Sequence, residues 1–128
     1  MPATRHHLYR QLAASLAAKQ RVLLVTHEHA DGDAFGSMLG FQLANPAATT
    51  ALAPDSSPVN FSYLTGIENV EFDATRIDVS RFDAVVMFDC GDVKRTHLAE
   101  QLLRLGEKRP LTAVIDHHPT RTEFSGQD

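Results

Sequence analysis

Tryptophan is absent from this chain of 128 residues, and there is a single cysteine, Cys90. A lone cysteine excludes a framework of internal disulfides, so the fold must rest on an ordinary apolar core. Long apolar runs are missing too. Nothing approaches the roughly 20 residues that a membrane-spanning helix needs, and the first residues do not read as a basic-plus-apolar leader. No membrane partner is expected, and the expected location is the cytoplasm. Basic charge is scarce, with 12 Lys and Arg against 16 Asp and Glu and a net charge of −4. That balance argues against a broad cationic surface for duplex DNA. It leaves room for a small phosphorylated substrate, because a bound cation supplies positive charge locally. The remainder is unexceptional: 43% hydrophobic and 22% charged residues suit one globular domain. The seven histidines are a mild excess, and four of them stand in two tight clusters, His27 with His29 and His117 with His118.

Apolar periodicity divides the chain into alternating elements. Leu8, Leu12 and Leu16, four apart, predict an amphipathic helix over 9–20. The run "VLLVTH" predicts a strand covered on both faces. Residues 33–44 predict a helix that "NP" stops at Asn45 and Pro46. A weaker strand is expected in "ATTALAP", a loop over residues 55–60, and a short helix plus turn over 59–70. "FDAVVMFDC", residues 82–90, predicts a second buried strand, and Leu98, Leu102 and Leu105 predict a helix over 96–105. "LTAVIDHH", residues 111–118, predicts a third buried strand. Such alternation implies an α/β fold, a mostly parallel sheet with helices on both faces. Ligands gather at the carboxyl ends of such strands. All three strong strands end in acid or histidine, at His27 to Asp33, at Asp89, and at Asp116 to His118.

The stretch "VLLVTHEHADGDAFGSMLG" can be read in two ways. Taken as His27-x-His29-x-Asp31, it resembles the zinc motif of metallo-β-lactamase-fold hydrolases. That motif wants histidine after the aspartate, where this chain has Gly32, and that fold places several strands ahead of it. The zinc reading is therefore the remote alternative. Taken as His27, Asp31 and Asp33, with His29 a solvent-facing bystander, the spacing resembles the first motif of the DHH phosphoesterases. Asp89 in "MFDCGD" resembles their second motif, and "IDHHPT" resembles the third. "SPVNFSYLTGIENV" is similar to the segment between motifs in the branch that degrades short oligoribonucleotides and dephosphorylates 3′,5′-bisphosphate nucleotides.

The resemblance implies a Rossmann-like three-layer domain and a metal-dependent phosphoesterase. Its chemistry is sound for these residues. Carboxylates and imidazoles without thiolate favour manganese or magnesium, and two ions about 3.5–4 Å apart activate water and clamp a phosphoryl group. By resemblance, His27, Asp31 and Asp89 hold one Mn2+, while Asp33, Asp89 and His117 hold the other, with Mg2+ or Co2+ as substitutes. Asp89 bridges. His117 and His118 point to opposite sides if the strand runs through them. The resemblance gives His118 the scissile phosphate, as charge stabiliser or proton donor. Asp116 is expected to orient an imidazole, and Arg121 to contact a substrate phosphate. The expected partner is short RNA or a nucleotide, and a homodimer is compatible. Open alternatives are a cyclic-dinucleotide phosphodiesterase, a manganese pyrophosphatase, or a non-catalytic nucleotide-sensing module.

Other motifs are set aside. Gly32 and Gly36 lack the G-x-G-x-x-G spacing of a dinucleotide site, and are expected to let backbone approach metal or phosphate. A calcium loop fails at Phe35 and Gln42, and a D-x-D-x-T phosphatase fails at Phe35. Asp92 is expected to cap the following turn. Cys90 is expected to be a small buried side chain, and His6, His7 and His97 to be surface residues. Two departures from the family are visible. Ala30 stands where many members have proline. The fourth motif, which supplies another aspartate, and the substrate-binding second domain have no counterpart in residues 1–128. The chain is therefore expected to be the N-terminal catalytic domain of a longer phosphoesterase, binding metal but hydrolysing poorly by itself.

Overall fold

The computed structural model describes residues 10, 11, 14, 19, 21–57, 61–88 and 92–115. Arg10, Gln11 and Ala14 are helical, whereas Lys19 is not, so the helix expected over 9–20 stops short of it; its other residues lie outside the described ones. The central strand is β1 (Val22–Thr26), buried at all five positions, as the unbroken apolar run requires. Helix α1 (Gly32–Ala44) follows and buries Ala34, Phe35, Met38 and Leu39, the i, i+3, i+4 stripe of a helix lying on a core. Asn45 ends it, its Nδ2 donating to the Phe41 carbonyl at 3.3 Å. Strands β2 (Thr49–Leu52) and β3 (Val70–Glu71) come next, then β4 (Ala84–Phe88), buried throughout. Helix α2 (Ala99–Leu105) leads to β5 (Leu111–Ile115).

All pairings are parallel, and the order is β3-β2-β1-β4-β5. The chain leaves β1 toward one edge, then returns to add β4 and β5 on the other side. Right-handed crossovers running in opposite directions put their helices on opposite faces, and the two cores show this. Val22, Leu24, Ala84, Val86 and Phe88 pack with Phe35, Met38 and Leu39 of α1. Their alternate neighbours Leu23, Val25, Val85 and Met87 pack with Leu102 of α2 and with Leu98, which caps it. The strand period of two thus divides one continuous apolar run between two cores. Each such Leu or Val contributes about 1.5–3 kcal/mol on burial, so the three-layer α/β architecture follows from the strands themselves.

Two expectations are corrected. The helix expected over 96–105 begins only at Ala99, because Val93–Thr96 closes as a separate 3-10 turn. Asp92 caps that turn, as expected, accepting from the Lys94 amide at 3.0 Å. His97 then turns left-handed at φ 61°, while Thr96 Oγ1 donates to the Val93 carbonyl and accepts from the Leu98 amide. Within the stretch expected to be a helix plus turn, the described part holds a 3-10 turn at Ile67–Asn69 and then the edge strand β3. A two-residue strand is too short to show a period.

Candidate functional site

The order of connections reverses between β1 and β4, so the crevice beyond their carboxyl ends is where ligands collect in this architecture. The loop leaving β1 carries the first expected motif. His27 closes the strand at 6% exposure. Its Nδ1 lies 2.6 Å from the Glu28 carbonyl oxygen and 3.2 Å from Arg95 Nη2. In the tautomer that donates Nδ1–H to that carbonyl, Nε2 carries the lone pair that a metal requires. The loop is fastened to its neighbours on both sides. The Glu28 amide donates to the Arg95 carbonyl at 2.6 Å. The Ala30 amide donates to Ser56 Oγ at 2.9 Å, and that hydroxyl donates on to the Pro54 carbonyl.

Asp31 is the N-cap of α1. Its Oδ1 accepts from the Ala34 amide at 3.0 Å, leaving the other carboxylate oxygen uncommitted to the cap. Asp33 stands exposed in the first turn of the same helix. The expected residues Asp89, Asp116, His117, His118 and Arg121, with Cys90, lie outside the described residues. The first expected ion set includes one of them, Asp89, and the second includes two, Asp89 and His117. The described half fits a hard cation in its chemistry: two carboxylates and one imidazole, beside a pinned loop.

Beside this loop the structure gathers a second group. The ligating atoms of Glu28, His29 and Asp55 lie within 4.8 Å of one another. His29 Nε2 is 3.5 Å from Asp55 Oδ2, both side chains well exposed. His97 lies at the surface as expected, and its Nε2 is 2.7 Å from Glu28 Oε2. That hydrogen bond holds the Glu28 carboxyl below its usual range. His29, Asp55 and His97 are also the non-glycine residues of positive φ among those described, at 53°, 48° and 61°. His29 faces solvent as expected, and His27, Asp31 and Asp33 do not by themselves form such a trio. A groove of about 550 Å³ adjoins the group, lined by Asp55, Phe72, Asp73, Thr75, His97 and Glu100 among others. Sequence reasoning missed Asp55, Arg95 and His97, which carry no motif of their own and reach the loop only through the fold.

The glycines give no steric sign of a ligand. A Cβ on Gly32 would meet Phe61 at an ordinary 3.5 Å, and one on Gly36 would meet open space.

With this geometry in hand, three comparisons bear on kinship. The family model "DHH family, N-terminal domain" matches residues 21–128. No curated protein matches the chain. Among solved structures, an exopolyphosphatase-related protein from Bacteroides fragilis is similar, with a TM-score of 0.76 and 18% sequence identity. The likeness covers 94% of this chain and 38% of that one, so the chain spans well under half of that protein's length.

Proposed function

Because this chain belongs to the DHH family, we propose that it is the catalytic N-terminal domain of a metal-dependent phosphoesterase acting on short oligoribonucleotides or 3′,5′-bisphosphate nucleotides. The observation that carries the reading is His27, buried at the topological switch point with its Nδ1 against a backbone carbonyl. Two divalent ions, Mn2+ in this reading with Mg2+ or Co2+ as substitutes, would when bound supply water activation and charge neutralisation at the phosphoryl group. The chain's own residues do the remaining work. His27, Asp31 and Asp33 offer ligands from one pinned loop, and Asp89 and His117 complete the expected sets. The amino end of α1 favours negative charge, that of the Asp33 carboxylate and that of an incoming phosphate alike. His118 serves the scissile phosphate, Asp116 orients an imidazole, and Arg121 holds a further phosphate oxygen.

The test is manganese uptake followed by electron paramagnetic resonance, with hydrolysis of a short oligoribonucleotide and a 3′,5′-bisphosphate nucleotide measured alongside. Expected results are uptake that His27→Ala abolishes, and slow hydrolysis that a chelator stops. Failure to bind any divalent ion, or turnover indifferent to the chelator, would sink the reading.

A further inference from the structure

His27 Nδ1 faces two partners that demand opposite things. The Glu28 carbonyl, at 2.6 Å, accepts a proton, whereas Arg95 Nη2, at 3.2 Å, offers one. One ring nitrogen cannot donate and accept at once. Two neutral tautomers divide these partners between them. With the proton on Nε2, Arg95 is satisfied but the Glu28 oxygen meets a lone pair at 2.6 Å. With the proton on Nδ1, the carbonyl is satisfied and Nε2 becomes the ligating nitrogen, but Arg95 confronts an N–H and has lost its acceptor. The form that holds a cation is thus the form that releases Arg95.

The neighbouring carboxylate, Glu28, is hydrogen-bonded to His97 and feels the Arg95 charge only as the smallest of its influences. Arg76, Arg81 and Arg104 each answer a carboxylate. Among the described residues Arg95 makes no such ion pair, and its partner is an imidazole. Its backbone is held at both ends, the amide donating to the Asp92 carbonyl and the carbonyl accepting from Glu28. The side chain is exposed and leaves the turn that follows β4, at the switch-point crevice. A planar guanidinium with a fixed root and an unsatisfied fork suits a phosphate, which it engages bidentately.

We propose that Arg95 binds the substrate's phosphate: it rests on His27 in the metal-free chain and turns to the anion once His27 takes the Nδ1–H form. The inference rests on the phosphoesterase reading. It adds a phosphate contact on the first half of the crevice, distinct from His118 and Arg121.

The test loads the chain with Mn2+ and measures the affinity of inorganic phosphate in the parent, in Arg95→Gln and in Arg95→Lys. Expected for Arg95→Gln is a loss of phosphate affinity of about tenfold or more, with Mn2+ affinity unchanged or tighter. Arg95→Lys should recover only part of the loss, because a point charge lacks the fork. Nitrogen-15 spectra of the metal-free Arg95→Gln chain should show the His27 proton settled on Nδ1. Phosphate affinity unchanged in Arg95→Gln, with Mn2+ uptake intact, overturns the proposal and spares the phosphoesterase reading. A fall in Mn2+ affinity as large as that for phosphate also overturns it, making Arg95 a mere support of His27. A parent chain that takes up no Mn2+ overturns both.

Discussion

Thr26 at the end of β1 and Phe88 at the end of β4 are partners in parallel register. Each is followed directly in the chain by an expected ligand, His27 and Asp89. Asp89 itself lies outside the described residues. β1 delivers the His27 imidazole to the point where the order of connections reverses, and in the sequence Asp89 comes next after β4. Asp89→Asn should therefore damage both expected ion sets at once. Manganese titration should give a spin-coupled pair in the parent chain, or a single ion if the family's fourth motif is needed. The variant should lose the coupling or weaken the single ion. Uptake unaltered by Asp89→Asn would remove the bridge from the site.

Asp31 combines two roles that different substitutions separate. Its carboxylate caps α1 through the Ala34 amide, and asparagine caps about as well as aspartate. Asp31→Asn should leave the melting temperature nearly unchanged while lowering Mn2+ affinity by at least about tenfold, as expected of a lost ligand charge. Asp31→Ala should lower Mn2+ affinity and also cost about 0.5–2 kcal/mol of stability. If Asp31→Asn binds Mn2+ as tightly as the parent, Asp31 is a cap alone.

How much of this could be read beforehand depended on range. The three buried strands were legible because a two-faced strand writes its burial into an unbroken apolar run, as in "VLLVTH" and "FDAVVMF". Parallel order and helices on both faces followed from that alternation. β3 was not legible, since Val70 and Glu71 borrow their strand character from β2. The start of α2 was misplaced because Thr96 and His97 look helical by spacing, while the Asp92 cap and the left-handed His97 close a turn first. At the site, the motif residues were visible as spacing. Glu28 with His97 and Ala30 with Ser56 are 69 and 26 residues apart, and no local pattern announces such pairs. Arg95 belongs to the same class. It meets His27 only because β1 and β4 are neighbours.

Acid should weaken two turns on the crossover to β4. Asp73 accepts from the hydroxyl and amide of Thr75, and Asp78 does the same with Ser80. The hydroxyl bonds are the larger cause in each, and both carboxyls are held below the usual value of 3.8. A carboxyl with a lowered folded value stabilises the fold fully above its unfolded value. That contribution is lost as pH falls through the folded value. Carbon-13 titration should place both midpoints below 3.8, and Thr75→Val and Ser80→Ala should each raise the midpoint of the aspartate concerned. Midpoints at or above 3.8 in the parent chain would contradict the turn geometry.

The α1 face of the sheet depends on Phe35, fully buried between the strands and two further rings. Its ring centroid lies 5.0 Å from that of Phe61 and 6.4 Å from that of Phe72, both tilted. Phe61 and Phe72 flank the connection through β3, so Phe35 ties α1 to a segment with little regular structure of its own. Phe35→Ala removes the buried ring and leaves a cavity that neighbouring strands cannot collapse to fill. The cost should be about 3–5 kcal/mol. Leu103 on α2 is 74% exposed, and Leu103→Ala should stay within about 0.5 kcal/mol of the parent. Urea unfolding of both variants measures the difference. If Phe35→Ala costs no more than Leu103→Ala, α1 does not carry that core. The loop that presents His27, Asp31 and Asp33 would then need another anchor, because the helix it leads into would not be holding it.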